Sequence, residues 1–373
     1  MRSTSAKVAP FRLRPSSSAS SLSLWCCSGS RHQTTTRMHR TSRWILATSR
    51  VASAPSSARS TRSRRSAERA MRIALLGLGL IGGSIAKALR EDPASAGPLD
   101  TTGLEIAAWT PSSAGPRAAL EAGAVDHVAR TIAEAVDGAA LIVICAPPIA
   151  ATSILDELVI CRRSGRLAEG AVITDVLSTK RWIMAEAAKR TLRFCGGHPM
   201  AGKHETGFAA ADASLFVGRP WVVVPDHHGA SSAAALVERL AASCGARPIV
   251  MDAELHDAAT AAVSHLPILV AAALVSAVSQ GEQGKAVDGW RVSHLLASSG
   301  WNSATRLARG SDEMGADILA TNAAEVRRRL RALRDELERW DARLAAAERD
   351  PLLGRTDIRA RLAEARETLE ELG

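Results

Sequence analysis

The segment from residue 73 to Gly82 constrains the fold of this chain more than any other. An apolar run at 73–76 leads into Gly77-Leu78-Gly79-Leu80-Ile81-Gly82, which has the pattern G-x-G-x-x-G. Between a strand and a helix, the first glycine permits a tight turn and the second lets a pyrophosphate approach the backbone. The third glycine allows close packing of the helix on the strand. The pattern predicts a dinucleotide-binding turn, and a glycine-rich turn without a ligand is the alternative.

Strand-like and helical segments alternate along the first part of the fold. After the strand at 73–76, strand-like runs occur at 105–109, 141–146, 172–175, 193–196, 221–225 and 248–251. This alternation predicts an α/β fold, a Rossmann-type doubly wound and mostly parallel sheet. We therefore expect a dinucleotide-binding Rossmann domain over residues 71–251.

Only helical patterns follow residue 252. They cover 253–278, 290–309, 317–348 and 356–372, and the third carries an apolar stripe at three-and-four spacing among many charges. An all-helical domain with exposed stripes favours self-association. We expect a helical substrate and dimerisation domain over residues 252–373, and a homodimer.

The first 70 residues have a different composition from the rest. They contain thirteen arginines and Lys7 against the single acid Glu68, so the remaining chain is mildly acidic although the whole carries +9. We expect a disordered leader at 1–70, either a transit-like peptide or an over-extended start before Met71, and we favour the second. Because the basic charge lies in this leader, we predict no nucleic-acid partner.

Membrane spans and metal sites are not expected. No run approaches the roughly 18 uninterrupted apolar residues of a spanning helix. The six cysteines form no C-x-x-C pair or Cys/His cluster, so we expect reduced thiols and no metal. These features predict a cytoplasmic protein, or an organellar one if the leader is a genuine transit peptide.

The end of the second predicted strand bears on the choice of cofactor. An NAD site commonly has a carboxylate there, whereas Trp109 is followed by Thr110 and further small polar residues, with Arg117 nearby. The expected cofactor is therefore NAD or NADP, with NADP or dual use plausible from these residues. The expected cofactor-binding residues are Gly77, Gly79, Leu80, Ile81, Gly82, Thr110 and Pro147.

A second motif contains a candidate catalytic group. His198 lies in the run Gly196-Gly197-His198-Pro199-Met200-Ala201-Gly202 at the end of a predicted strand. We expect a rigid, exposed turn at this edge of the sheet, where ligands bind in open α/β folds. A lone histidine is more often structural, but this spacing favours a functional one.

Taken with these two motifs, further segments make the chain similar to a known family. They are DVLSTK at 175–180, VSHLP at 263–267 and TRLA at 305–308, in this order. With GLGLIGGS at 77–84 and HPMAG at 198–202, the chain resembles the prephenate and arogenate dehydrogenase family of tyrosine biosynthesis. The resemblance covers residues 71–373.

The resemblance implies a small-molecule substrate and roles for four residues. His198 would help remove the proton of the substrate ring hydroxyl, and Ser178 would orient that hydroxyl. Arg306 would bind a substrate carboxylate, for which its planar fork is suited. His265 would line the same pocket or serve as a structural histidine at the domain interface. The implied reaction is oxidative decarboxylation of prephenate to 4-hydroxyphenylpyruvate, or of arogenate to tyrosine.

Two other functions remain as alternatives. A β-hydroxyacid dehydrogenase would need a catalytic lysine in its helical domain, where Lys285 is the only lysine. A non-catalytic dinucleotide sensor would not need Ser178, His198 and Arg306 together. One segment, residues 311–315, departs from the family pattern because it lacks the expected proline and tryptophan.

Overall fold

The computed structural model describes residues 71–91, 98–112, 114–203, 205–226, 232–280 and 290–372. The expected leader at 1–70 and Lys285 lie outside the described residues.

The first part of the fold is one eight-stranded sheet. Its strands are β1 Arg72–Leu76, β2 Glu105–Trp109, β3 His127–Val128, β4 Leu141–Ile144, β5 Val172–Asp175, β6 Phe194–Pro199, β7 Pro220–Val224 and β8 Arg247–Val250. Their order is β3-β2-β1-β4-β5-β6-β7-β8, and every neighbouring pair is parallel except β6 with β7. This confirms the predicted Rossmann-type, mostly parallel α/β fold class.

Helices cover both faces of the sheet. They are α1 Leu80–Ala88, α2 Ala114–Glu121, α3 Ile132–Val136, α4 Pro148–Arg163, α5 Arg181–Lys189 and α6 Ser232–Ser243. Successive side chains of a strand point to opposite faces, so Ile73 and Leu75 of β1 join one buried apolar cluster and Ala74 and Leu76 join another. A strand buried on both faces explains the continuous apolar runs of the sequence.

The sheet reverses its winding between β1 and β4. From β1 the chain proceeds outward through β2 and β3, and it then returns to place β4 on the other side of β1. In open α/β sheets, ligands bind at the carboxyl ends of the strands at such a point. This edge is the place to look for a nucleotide site.

The second part is helical. It contains α7 Ala253–Thr260, α8 Leu266–Gln280, α9 Trp290–Leu296, α10 Ser299–Thr305, α11 Asp312–Thr321, α12 Ala323–Arg349 and α13 Pro351–Leu372. A π-helical turn, Ala261–His265, joins α7 to α8, and a 3-10 turn, Arg306–Arg309, follows α10. The π turn precedes Pro267, whose ring nitrogen has no proton for the regular helical hydrogen bond. The helix predicted at 290–309 is in fact broken between α9 and α10.

One helical segment, Ala253–Ser279, is long and apolar enough to cross a membrane by length and composition. The segment is not an uninterrupted apolar run, because Ser264 and His265 lie within it. Only 17% of its most apolar window is buried.

The position of His198 differs from the prediction of an exposed turn. β6 extends to Pro199, because His198 pairs with Val222 and Pro199 pairs with Trp221 in the antiparallel ladder with β7. His198 is therefore part of a strand and only 8% exposed. The glycine-and-proline run by itself predicts a turn, but pairing with the neighbouring strand β7 keeps it extended.

Candidate active site

The glycine-rich turn has the geometry of a dinucleotide cradle. Gly77 has φ +111°, and a Cβ there would lie 2.4 Å from the Cys145 carbonyl oxygen, so only glycine fits. A Cβ on Gly82 would lie 2.2 Å from the Gly77 carbonyl oxygen. A Cβ on Gly79, by contrast, would meet nothing within 4 Å. The open space at Gly79, beside the N-terminus of α1, fits a pyrophosphate group.

The other expected cofactor residues lie at the same edge of the sheet. Leu80 and Ile81 begin α1, Thr110 follows β2, and Pro147 is the N-cap of α4 directly after β4. The strands β2, β1 and β4 are adjacent, so these residues surround one crevice. The buried hydroxyl of Thr110 has no hydrogen-bond partner in the described part of the chain. An unpartnered hydroxyl at this place fits a ribose or its phosphate.

His198 belongs to a buried chain of three side chains. Its Nδ1 lies 2.8 Å from Nε2 of His256 in α7, and Nδ1 of His256 lies 2.7 Å from Oδ1 of Asp257. Asp257 also accepts the backbone N–H groups of Lys180 and Arg181, at 2.8 and 3.0 Å. These three hydrogen-bonded side chains therefore link the helical part to the start of α5 and to the end of β6.

A buried ion pair joins the loop after β5 to the strand that carries His198. Lys180 pairs with Asp175 at the end of β5, and both side chains are fully buried. The Lys180 ammonium also donates to the Gly197 carbonyl at 2.6 Å, while the Gly197 N–H donates to Asp175 Oδ1 at 3.0 Å. A Cβ on Gly197 would lie 2.5 Å from the Asp175 carbonyl oxygen. The glycine before His198 thus allows β5 and β6 to approach closely.

His265 lies in the π turn and is completely buried. Its Nδ1 is 3.1 Å from Nδ2 of Asn322, and the same amide nitrogen donates to the Asp257 carbonyl at 2.8 Å. The Nε2 of His265 has no hydrogen-bond partner among the described residues. The Ser178 backbone lies beside the ring without completing a hydrogen bond to Nε2.

Burial keeps both histidines neutral. It is the main cause that lowers the pKa of His198 well below its usual range, and the charges of His256, Lys180 and His265 act in the same direction. Burial likewise lowers the pKa of His265 to about 4, opposed by the charge of Asp257. At neutral pH each ring therefore has one protonated nitrogen and one that can accept a hydrogen bond.

Three of the four family-implied residues are connected in this arrangement. Ser178 follows β5 in the loop that ends at Lys180, and the hydrogen bonds above join this loop to His198 and His265. Arg306 lies instead on the 3-10 turn that packs on α8, where it is exposed. No hydrogen bond in the described part of the chain joins Arg306 to His198.

Sequence reasoning missed His256, Asp257 and Asn322. His256 contacts His198 across 58 positions of the chain, Asp257 contacts Lys180 across 77, and Asn322 contacts His265 across 57. Their only sequence signal is polar side chains at positions that turn out to be buried. Among the described residues, no group of three or more potential metal ligands comes together.

The Rossmann sheet, its glycine-rich turn and the buried histidine at the same edge define a dinucleotide-binding protein of the dehydrogenase type. Residues 102–250 match the family model "Prephenate dehydrogenase, nucleotide-binding domain", and residues 252–355 match "Prephenate dehydrogenase, dimerization domain". The chain belongs to the prephenate dehydrogenase family. The glycine-rich turn lies just before the matched range.

Relatives in two bacteria have this name. Prephenate dehydrogenase of Bacillus subtilis is 33% identical over 257 residues, covering 68% of this chain and 65% of the relative. That of Lactococcus lactis is 30% identical over 271 residues, covering 72% and 69%. The chain thus spans about two thirds of the length of these relatives. The crystal structure of Synechocystis arogenate dehydrogenase matches with TM-score 0.62 and 27% identity, covering 80% of this chain and all of that one.

Proposed function

We propose that this protein is a prephenate dehydrogenase that uses NAD or NADP to decarboxylate its substrate oxidatively. The observation that carries the proposal is the position of His198. It lies at the carboxyl end of β6, at the edge of the sheet that also carries the glycine-rich turn. Nδ1 of His198 is occupied by His256, so Nε2 is the nitrogen that remains for a substrate.

The reaction requires the side chains of the protein mainly to position the substrate and to take up one proton. Loss of carbon dioxide converts the cyclohexadienyl ring into an aromatic one, which supplies much of the driving force. The protein must hold the carbinol, take up its proton and bind a dianion. His198 Nε2 accepts the proton, and the Ser178 hydroxyl orients the carbinol oxygen. Arg306 binds a carboxylate through its planar guanidinium group.

The exposure of Arg306 is consistent with this role. The guanidinium has no hydrogen bond or ion pair with the described residues, whereas five arginines of α12 and α13 pair with acids. An arginine on a short 3-10 turn packed on α8 can bind an anion without first breaking an ion pair. His265, whose buried Nε2 has no partner among the described residues, is proposed to line the substrate pocket.

The cofactor is held by Gly77, Gly79, Leu80, Ile81 and Gly82, with Thr110 at the ribose and Pro147 opposite. When bound, the nicotinamide accepts the hydride that leaves the carbinol carbon. Thr110 favours tolerance of a 2′-phosphate, because a carboxylate at this position would repel it. The ratio of kcat/KM for NADP and NAD tests this preference, and a strong preference for NAD would reject it.

Arogenate is the second candidate substrate. The favouring observation is the similarity to the Synechocystis arogenate dehydrogenase, which exceeds two thirds coverage of both chains. Arogenate carries an amino group where prephenate has a keto group, so one or two pocket side chains suffice to change the preference.

We further propose that the domain boundary lies at residue 252 and that the protein acts as a cytoplasmic homodimer. The exposed apolar surface of Ala253–Ser279 supports a dimer, because this segment lies in the range that matches the dimerization domain. When such helices from two copies of the protein pack against each other, their apolar surfaces are removed from water.

The test is a four-way assay of the purified full chain. Prephenate and arogenate are each combined with NAD and with NADP, and absorbance of the reduced nicotinamide is followed. Turnover with one substrate supports the reaction class and assigns both specificities. A folded protein that binds the cofactor but turns over neither substrate would favour a dinucleotide sensor.

A further inference from the structure

Asp257 is the last of the three buried side chains that begin with His198 and His256. Both carboxylate oxygens of Asp257 accept backbone N–H groups at the start of α5, from Lys180 and Arg181. The N-terminal end of a helix stabilises negative charge. Two accepted N–H groups at a helix N-terminus favour the carboxylate form of Asp257, which can only accept hydrogen bonds. Asp257 therefore has no proton to donate to the ring beside it.

The proton positions on both rings follow from this. Nδ1 of His256 lies 2.7 Å from Asp257 Oδ1, so Nδ1 must carry the proton. In a neutral ring, Nε2 is then the acceptor. Because His256 Nε2 lies 2.8 Å from His198 Nδ1, the latter must donate. The nitrogen of His198 that has a free lone pair is consequently Nε2, the one proposed to take the substrate proton.

The hydrogen bonds that join His198, His256 and Asp257 compensate for the low basicity of His198. A histidine whose pKa is lowered by burial is a weak proton acceptor by itself. When the substrate O–H bond breaks and an N–H bond forms at His198 Nε2, the proton on Nδ1 can move to His256 Nε2. The positive charge then lies on His256, next to the carboxylate of Asp257, rather than beside Lys180. The rings of His198 and His256 together gain one proton from the substrate and release none.

We propose that His256 and Asp257 are positioning residues, which hold His198 in the tautomer with a free Nε2 and take over its positive charge during the reaction. Asp257 and His256 touch neither the glycine-rich turn nor the face of His198 proposed for the substrate. The charge transfer rests on the proposed function, whereas the tautomer does not depend on it.

Other charged and titratable groups surround these rings. From β5 and its loop come Asp175 and Lys180, which neutralise each other, and from the π turn comes His265. The start of α5 and α7 contributes the exposed pair Arg181 and Glu254, and α12 contributes Arg329, which donates to the Ala258 carbonyl. Among the described residues, Asp257 is the one acid that pairs with the ring of His198 or His256.

The first test reads the tautomer without any substrate. Histidine ring nitrogens of the full chain, labelled with ¹⁵N, are observed by long-range ¹H–¹⁵N NMR at neutral pH, with the His198 signals assigned from a His198→Asn variant. We expect protonated Nδ1 and unprotonated Nε2 on His198, and the same pattern on His256. Protonation of His198 at Nε2 instead would overturn the proposal.

The second test separates the two roles of His256. In His256→Gln the side-chain oxygen can still accept from His198 Nδ1 but cannot take up a proton. In His256→Leu the side chain can neither accept this hydrogen bond nor take up a proton. Because a general base contributes about 10²- to 10⁴-fold, we expect kcat to fall roughly 10- to 100-fold in the first variant and about 10³-fold in the second. KM for the substrate should change little in both, since His256 does not touch it.

The matched control is His127→Gln, which changes a histidine on β3 far along the sheet and should leave kcat unaltered. A His256→Leu variant with the kcat of the wild type would refute the proposal. Failure of the proposed function is a separate result: the wild type would show the expected tautomer but turn over neither prephenate nor arogenate.

Discussion

Nδ2 of Asn322 lies 3.1 Å from Nδ1 of His265 and determines the tautomer of that ring. The Asn322 amide nitrogen also donates to the Asp257 carbonyl at 2.8 Å, which fixes the orientation of the amide group. Its second proton points to His265, so Nδ1 of His265 is the acceptor and Nε2 carries the ring proton. His265 therefore presents a buried N–H donor beside Ser178.

Replacing Asn322 with Asp removes both donors at once. An Asp oxygen would face the Asp257 carbonyl and His265 Nδ1, leaving buried acceptors unpaired at a cost of about 1–3 kcal/mol each. We expect the free energy of unfolding to fall by about 2–4 kcal/mol in urea denaturation at fixed protein concentration. Asn302→Asp, on exposed α10, is the control and should shift it by less than about 0.5 kcal/mol. Equal stability of the two variants would contradict the assigned hydrogen bonds.

The glycine-rich turn allows stability and cofactor binding to be separated. At Gly79 an added Cβ meets no atom of the protein within 4 Å, so Gly79→Ala should fold with an unchanged melting temperature. The methyl group would instead occupy the space proposed for the pyrophosphate, and we expect Kd for the dinucleotide to rise at least about tenfold, which is roughly 1.4 kcal/mol. Calorimetric titration measures the affinity.

Gly77→Ala is the comparison for this prediction. Its φ of +111° and the 2.4 Å approach to the Cys145 carbonyl oxygen predict a loss of stability. A lowered melting temperature in Gly79→Ala with normal cofactor affinity would mean that the pyrophosphate does not pass this residue.

The sheet and the glycine-rich turn were predictable because their signals are local. A strand buried on both faces gives a continuous apolar run, and the turn requires glycine at fixed spacing. The location of His198 in a strand could not be predicted from local sequence. The extension of β6 depends on pairing with β7, which is more than twenty residues away. The family resemblance supplied Ser178, His265 and Arg306, which local patterns alone did not distinguish.

The partners of these residues could not be predicted in the same way. His256 and Asp257 stand in the first two turns of an ordinary amphipathic helix, and Asn322 stands between two helices. Each acquires its role only when α7, α12 and the loop before α5 meet. Hydrogen bonds across more than fifty residues depend on tertiary packing, for which the sequence contains no spacing rule.

The buried ion pair between Lys180 and Asp175 gives a further prediction. Removing one member of such a pair leaves an unpaired buried charge, at a cost of about 3–5 kcal/mol. We expect Lys180→Met to lower the free energy of unfolding by this amount, and the double variant Lys180→Met/Asp175→Asn to recover part of it. A double-mutant cycle in urea measures the coupling.

The control for that cycle is the exposed pair of Lys189 and Glu186 on α5. Lys189→Met should change stability by less than about 1 kcal/mol. If the two lysine variants were equally stable, the interaction of Lys180 with Asp175 and the Gly197 carbonyl would contribute nothing to the fold.

The depressed pKa of His265 predicts that the protein is destabilised by acid. Burial lowers this pKa from 6.5 to about 4 in the folded protein, so at intermediate pH the unfolded chain binds more protons. The free energy of unfolding should be independent of this group above pH 6.5. It should fall as the pH drops from 6.5 toward 4, by a total of about 3 kcal/mol.

His265→Gln, whose amide can still accept from Asn322, removes this contribution. Urea denaturation at pH 7 and pH 4.5 should therefore show a smaller acid loss in the variant than in the wild type, whereas His127→Gln on the half-buried strand β3 should retain the loss that belongs to His265. An acid loss that is identical in His265→Gln and the wild type would show that His265 is not buried as a neutral ring.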